Sequence, residues 1–452
     1  MNRTLEMLDA KVNAKVLCNV VMAICQIAVL VASFITTQMQ LLLFYQIVSV
    51  IVGIFVIAYT QRHCGTVVLP QSIFALVWMI LIPVSSGSAP AMRALNSSEI
   101  AAIVLGGAVF TVSSALSEIA INHFIPFSQL DNDRSATQRN VEKAGFGRVV
   151  LAIACLSIIV NLVLNYLGIS GDLISTGKAV NAFKGYSFIS SAGAVGALIL
   201  VYAGSRIKVD YALIAAYAIL ELLTGQRWYV IVLFIVLFSS LSFVKLSRRH
   251  WILFVGGLLL AVAAFYIISG QKSGIENFQK YYIDTGLYNG SAKELAETEI
   301  IRYLGMSQRT MGEVLKGNYS IHQPLSYTLT PISFIFESPE HLKLGVSINA
   351  YTASNALSYI IADGGSLWWA ILCLIAIAVN MVQRLVEMYP RILALRVAWA
   401  TCILGLTLSF FAYINAYFYW ILAFPALSAL GEFGMERLKR SAASNGANCA
   451  KG

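Results

Sequence analysis

The chain has 452 residues, of which 58% are hydrophobic and only 12% are charged, and its formal net charge is +9. This composition excludes an ordinary soluble globular protein, in which about 25% of residues are charged. The basic residues stand in ones to fours between apolar stretches, so they do not form the continuous basic patch that nucleic acid requires. Their positions between apolar stretches indicate instead the loops that connect transmembrane helices.

Apolar windows long enough to cross a bilayer recur along most of the sequence. They predict an all-α polytopic membrane protein with about twelve transmembrane helices. The first apolar run lacks a small-residue cleavage pattern, so we interpret it as a signal anchor. The predicted helices start near Val16, Leu41, Val67, Glu99, Phe146, Ser187, Lys208, Gln226, Trp251, Leu367, Arg391 and Asn415.

The predicted helices fall into two groups separated by one long polar segment. Residues 1–268 hold transmembrane helices 1–9 with short loops, and residues 367–432 hold helices 10–12. Residues 269–366 between them are charged and rich in turn residues, and we expect a large, mainly helical loop there. The small polar tail, residues 433–452, is expected to be disordered.

Lysine and arginine clusters orient the predicted helices. They follow alternate spans, as Lys245, Arg248 and Arg249 do. Because cytoplasmic loops carry the excess of basic residues, both termini are predicted to be cytoplasmic. The same orientation places the long loop on the opposite, outer face.

A short connection between two spans carries the first candidate site residues, Gly225, Gln226 and Arg227. It is too short to be a free loop, so Arg227 is expected at the outer membrane surface. There it either reaches the lipid headgroups or holds phosphate groups through its guanidinium. Glu221 lies a turn or more inside the apolar part of its helix, and it either neutralises Arg227 or acts as a base.

The long loop carries two further arginines. Residues 292–315 have helix-forming composition with apolar positions at helical spacing, which predicts one or two amphipathic helices interrupted around Gly305. Arg302 and Arg309 are seven residues apart, so an uninterrupted helix would place both guanidinium groups on one face as an anion clamp. The alternative is local pairing with nearby glutamates, such as Glu313 with Arg309.

Two more parts of the loop carry polar candidates. His322 stands in a turn-like stretch and is either a general base or a solvated side chain. Asn355, Tyr359 and Asp363 recur every four residues before a Gly-Gly pair, so a helix would align them on one face. Such a ladder suits sugar hydroxyl groups, or it is the polar side of a helix that stops at the glycines. We see no metal-ligand spacing and expect no metal or cofactor.

Together these features resemble the Wzy-type O-antigen polymerases, which share their layout with the O-antigen ligases. The resemblance rests on the many-span bundle, on the turn with Gly225 and Arg227, and on a large late loop with further arginines. It also rests on the Asn-x-x-x-Tyr segment of Asn355 and Tyr359. It implies a GT-C-like membrane glycosyltransferase in the bacterial inner membrane, with its active site on the periplasmic face.

The resemblance also implies a substrate and partners. The substrate would be an oligosaccharide repeat unit on undecaprenyl pyrophosphate, and the growing glycan would be transferred to the non-reducing end of a new lipid-linked unit. Arg227, with Arg302 or Arg309, would hold the pyrophosphate and stabilise its charge as it departs. The implied partners are this lipid-linked glycan, membrane lipid and a chain-length regulator protein.

One departure separates the sequence from the ligases, which place a histidine directly before the asparagine, where Ser354 stands here. A base for the acceptor hydroxyl must then come from His322, Glu221 or Asp363, in that order. The alternatives to a polymerase are an O-antigen ligase, a flippase or transporter for the same lipid-linked sugar, and a non-catalytic assembly protein. Basic residues at the span ends, rather than within the spans, favour an enzyme over a flippase.

Overall fold

In the computed structural model of the chain, most of the predicted helical segments are described. All regular elements in this part are helical, and an isolated bridge between Ala89 and Met92 is its one strand-like contact. The predicted all-α class is therefore confirmed for these residues. The described residues are 2–90, 92–124, 141–169, 182, 186–203, 208–224, 227–243, 290, 294, 298–319, 355–389, 392–408, 423–434 and 437.

The first group of helices packs around α1. Both α2 and α4 pack against α1, and α3 packs against α2. The middle of α3, Ala75–Leu81, is a π-helix. The helices are α1 (Asn2–Ile35), α2 (Gln38–Cys64), α3 (Pro70–Val84) and α4 (Ser97–Phe124).

The second group packs around α5 and α6, which lie along each other. α7 contacts both of them, and α8 packs against α6 and α7. A 3-10 segment, Ser240–Phe243, extends α8. The helices are α5 (Val141–Tyr166), α6 (Tyr186–Tyr202), α7 (Lys208–Leu223) and α8 (Arg227–Ser239).

The late helices join the two groups. α11 packs against α4, and α12 contacts α11, α3, α6 and α8. α9 belongs to the long loop and packs against α3, α4 and α10. The helices are α9 (Glu299–Leu315), α10 (Ala356–Gly364), α11 (Trp368–Met388), α12 (Leu393–Leu408) and α13 (423–434).

Several helices have the length and apolar character of membrane spans. By these two measures, Ala10–Ile35, Gln38–Cys64, Ser97–Phe124, Lys143–Tyr166 and Ala356–Met388 are able to cross a membrane. Shorter apolar helices are Pro70–Val84, Phe188–Tyr202, Ile231–Ser242 and Leu393–Leu408. Helices lie at or near every predicted start except Trp251 and Asn415, which fall outside the described residues. The full count of twelve spans stays a prediction.

The two ends of the bundle are distinguished by the helices that begin, end and pack there. One end, where α11 ends and α5 and α12 begin, carries inter-helix ion pairs such as Lys15 with Glu387 at 3.0 Å and Arg148 with Asp210 at 2.6 Å. We call it the Lys15 end. At the opposite end, α4 and α10 begin and α5 and α7 end, and α9 packs there, so we call it the α9 end. The predicted orientation would place the Lys15 end in the cytoplasm.

A buried polar network holds three of the central helices together. Asn380 of α11 donates from Nδ2 to the Ser114 carbonyl oxygen of α4 at 2.9 Å and to Ser117 Oγ at 2.5 Å. Asn19 of α1 donates to Ser114 Oγ at 3.1 Å. Hydrogen bonds of this kind stabilise helix contacts where lipid supplies no hydrophobic driving force between helices.

Candidate functional site

The loop helix α9 lies directly on the segment that connects α3 to α4. Two glycines on α9 permit this approach. A Cβ on Gly305 would lie 2.8 Å from the Ser85 carbonyl oxygen, and one on Gly312 would overlap the Glu99 carboxylate. Because no other residue lacks a Cβ, glycine is required for this contact.

Arg309 of α9 is the main polar contact in this junction, and it is only 2% exposed. Its Nη1 donates to the carbonyl oxygens of Ser85 and Gly305 at 2.9 and 2.6 Å. Its Nε donates to the Arg93 carbonyl oxygen at 2.9 Å, and its Nη2 donates to that of Gly87 at 2.8 Å. The guanidinium therefore binds backbone oxygens of residues 85–93 as a rigid fork.

The charge of Arg309 is retained at neutral pH despite its burial. Burial lowers the pKa of Arg309 to about 9, Glu99 opposes this shift, and Arg93 adds to it. In this arrangement Arg309 stabilises the connecting segment. The predicted anion clamp would require its release from these carbonyl groups, and the side chain of its predicted partner Arg302 lies outside the described residues.

Two predictions about α9 are corrected. The helix runs without a break through Gly305, because that glycine is held by packing rather than exposed to solvent. The predicted pairing of Glu313 with Arg309 is also wrong. Glu313 accepts instead from Lys316 Nζ and Asn318 Nδ2, each at 2.8 Å, and these bonds lower the pKa of Glu313.

A second ion pair organises the start of α4 beside this junction. Asn96 Oδ1 accepts from the Glu99 backbone N–H at 2.9 Å, and Glu99 Oε2 accepts from the Asn96 N–H at 2.8 Å, which is a capping box. Arg93 donates to both oxygens of the same carboxylate, at 2.7 and 2.5 Å. Glu99 is thus fully buried with its charge compensated, while the Arg93 side chain is 49% exposed.

The predicted ladder on α10 is only partly formed. Asn355 precedes the helix, and its Oδ1 accepts from the Ser358 N–H at 2.8 Å as an N-cap. Its Nδ2 donates to Gln308 Oε1 of α9. Asn355 therefore joins α9 to α10, whereas Tyr359 and Asp363 lie buried within α10. The predicted stop at the glycine pair is confirmed, since the helix ends at Gly364 and Gly365 has φ 50°.

The other predicted acid, Glu221, lies in a separate place between α5, α6 and α7. It is fully buried, and Ser190 Oγ of α6 donates to its Oε1. Tyr217 donates from its hydroxyl to the Ser190 carbonyl oxygen at 2.8 Å. By distance and angle Glu221 Oε2 has no hydrogen-bond partner among the described residues, although the Tyr217 hydroxyl also lies near this carboxylate.

The remaining predicted residues are close in sequence to Glu221 or belong to the loop. Arg227 is the first residue of α8, so it follows Glu221 after a short turn. Its side chain lies outside the described residues, as do Gly225, Gln226 and His322. The predicted set therefore falls in two places at the α9 end, one around Arg309 and Asn355 and the other around Glu221.

Sequence reasoning missed several residues of both places. The capping box of Asn96 and Glu99 has a readable spacing of three. On α5, Ser157, Asn161 and Asn165 recur every four residues and are all buried, which is a readable polar stripe on an apolar helix.

Comparisons of the chain with family models, with curated proteins and with solved structures find no match.

Proposed function

We propose that the protein is a membrane glycosyltransferase that polymerises lipid-linked oligosaccharide repeat units, as its resemblance to the Wzy-type O-antigen polymerases implies. It transfers a growing glycan from polyprenyl pyrophosphate to the non-reducing end of a new repeat unit. The reaction takes place at the α9 end of the bundle, which the charge distribution predicts to be periplasmic.

The observation that carries this proposal is the burial of Glu221 with one carboxylate oxygen unpaired among the described residues. A carboxylate inside an apolar bundle is costly, and here one of its oxygens has no described partner. A carboxylate that is buried in such an unfavourable environment is a candidate catalytic residue. Arg227 begins the next helix, a short turn after the helix of Glu221, and we propose that it supplies the cation that acts with this base.

The proposed step assigns one role to each group. Glu221 Oε2 accepts the proton of the acceptor hydroxyl as that oxygen bonds to the anomeric carbon of the donor glycan. The bond between the anomeric carbon and the pyrophosphate oxygen breaks, and its electron pair leaves with the polyprenyl pyrophosphate. Arg227 stabilises the charge on this leaving group.

The loop supports this arrangement without supplying the base. α9 is fixed over the α9 end by Arg309 and by the Asn355–Gln308 contact. Among the three candidates for the base, we propose Glu221, because it is fully buried and one of its carboxylate oxygens has no described partner.

The test is complementation of a deletion strain, with lipopolysaccharide separated on a gel. We expect the deletion to leave single repeat units on the lipid A core, and we expect wild-type protein to restore the ladder of chain lengths. Glu221→Gln and Arg227→Ala should each fail to restore it while being present in the membrane in normal amount. Glu432→Gln, which alters a partly exposed ion pair at the Lys15 end, is the matched control and should restore the ladder.

Other outcomes would identify other functions. Loss of every capped species, including the single-unit form, would show a ligase or a flippase instead of a polymerase. A full ladder with Arg227→Ala would exclude the phosphate-binding role of that residue.

A further inference from the structure

Three unpartnered polar atoms, from α5 and α7, lie in the same region of the bundle. They are Ser157 Oγ, Asn161 Nδ2 and Glu221 Oε2, and none has a hydrogen-bond partner among the described residues. Ser157 is 9% exposed, and Asn161 and Glu221 are fully buried. Buried polar atoms are normally paired, so three such atoms together indicate a site that binds something.

The packing of Gly193 establishes that these residues lie close together. Gly193 of α6 contacts both α5 and α7, since a Cβ there would lie 2.8 Å from Ala154 Cβ and would overlap the Tyr217 ring. Ala154 of α5 and Tyr217 of α7 are therefore at the same level. One helical turn is about 3.6 residues, so Ser157 and Glu221, each about one turn nearer the α9 end, also lie at the same level. Asn161 follows one turn further along α5. α5 and α7 are in direct contact, so these levels lie side by side.

The orientation of the Asn161 amide is fixed by a backbone contact. The Ala182 N–H donates to Asn161 Oδ1 at 2.7 Å, which leaves the amide N–H groups as the unpartnered side. The site therefore presents donors from Asn161, an acceptor from Glu221 and a hydroxyl group from Ser157.

This combination selects one class of ligand. A metal cation would be repelled by the N–H groups of Asn161, and a phosphate would be repelled by the carboxylate of Glu221. A neutral hydroxyl group satisfies both, because it donates to a carboxylate oxygen and accepts from an amide N–H.

We propose that Ser157, Asn161 and Glu221 bind a hydroxyl group of a neutral sugar, and that Ser190 positions the carboxylate by donating to its other oxygen. This inference rests on the proposed function in naming the hydroxyl as that of the acceptor repeat unit. The three atoms are buried, so a hydroxyl group bound to them is shielded from solvent.

The binding test uses the full-length protein in nanodiscs and glycan released by mild acid from the envelope of the wild-type bacterium. Asn161→Asp keeps the acceptor for Ala182 but removes the donor, and it should weaken glycan binding about tenfold or more. Ser49→Ala, a small change at another buried polar side chain in α2, is the control and should bind as the wild type does. Ser157→Ala, a smaller change, should weaken binding in the same direction if Asn161→Asp does not fold.

The outcomes are separable from those of the proposed function. Undiminished glycan binding by both variants, or binding of inorganic pyrophosphate but not of glycan by the wild type, would overturn the site. If the deletion strain kept its full ladder, polymerase activity would be excluded, while the binding results would still decide the site.

The positioning role of Ser190 is tested by the turnover number for polymerisation. Ser190→Ala should lower the turnover number for polymerisation about tenfold or more, and it should weaken glycan binding less than Asn161→Asp does, because Ser190 acts only through the orientation of Glu221. Ser190→Thr keeps the hydroxyl and should restore turnover. An alanine variant with normal turnover, or a threonine variant that stays as slow as alanine, would contradict the role.

Discussion

Arg309 Nε donates to the Arg93 carbonyl oxygen at 2.9 Å, across 216 residues of sequence. The guanidinium thus joins the long loop to the connection between α3 and α4. Since its other N–H groups also meet backbone oxygens, Arg309 is placed to determine where α9 lies.

Replacement of Arg309 by lysine should release α9 from the connecting segment. A lysine keeps the charge but lacks the planar fork, so several buried carbonyl groups lose their donors, at a cost of about 1–3 kcal/mol each. We expect faster hydrogen exchange at residues 85–93 and a lower unfolding temperature. Lys316→Met, at the exposed C-terminal cap of the same helix, is the control and should leave exchange at residues 85–93 unchanged. Unchanged exchange in Arg309→Lys with loss of substrate binding alone would favour the anion-clamp role.

Gly305→Ala should destabilise the same junction for a steric reason. The added Cβ would lie 2.8 Å from the Ser85 carbonyl oxygen, which is backbone and yields little. We expect a loss of about 1–3 kcal/mol in the free energy of unfolding, as for overpacking in a core. Gly145→Ala in α5 meets nothing within 4 Å and should be neutral or stabilising by up to ~1 kcal/mol. Equal effects of the two substitutions in thermal unfolding would refute the close approach of α9.

Lys15→Met should destabilise the Lys15 end strongly. Lys15 Nζ lies 3.0 Å from Glu387 Oε1 and 3.8 Å from Glu118 Oε1, so its removal leaves two acidic groups without their cation. Breaking a buried ion pair in this way costs about 3–5 kcal/mol. The double variant Lys15→Met/Glu118→Gln should recover part of the loss in unfolding experiments in detergent. Failure of the second change to recover any stability would show that the two residues are not coupled.

The last turn of α9 should loosen in acid. Hydrogen bonds from Lys316 and Asn318 lower the pKa of Glu313, so the charged form is favoured in the folded state. This stabilisation is complete above the usual pKa of a glutamate and is lost as the pH falls through the lowered value. The protection of residues 316–319 against hydrogen exchange, corrected for the intrinsic exchange rate at each pH, should therefore fall below about pH 4. Glu313→Gln should remove this pH dependence, and a variant that kept it would point to another titrating group.

Hydropathy predicted the positions of the described helices, because span length and apolar composition are local properties of the sequence. The junction of α9 could not be predicted in the same way. Gly305 reads locally as a helix breaker, yet contact with Ser85 keeps the helix intact. The carbonyl groups bound by Arg309 carry no sequence signal at all, since every residue has one.

The α10 ladder is only partly formed for a different reason. A spacing of four assumes that Asn355 is helical, but an asparagine at the start of a helix turns its side chain back onto the backbone. For Glu221, the sequence indicated an unusual acid within a span. Its partner Ser190 lies 31 residues earlier on another helix, so only the packing of α6 against α7 could reveal it.

The distance along the chain between Arg309 and its partners has a consequence for biosynthesis. Ser85 is made 224 residues before Arg309, and Gly87 is made 222 residues before it. At a translation rate of about 5–20 residues per second, Arg309 is synthesised on the order of tens of seconds after the carbonyl groups that it binds. The newly inserted α3 and α4 are therefore joined by an unfinished segment until translation reaches α9, and a chain interrupted earlier leaves that segment open to proteolysis.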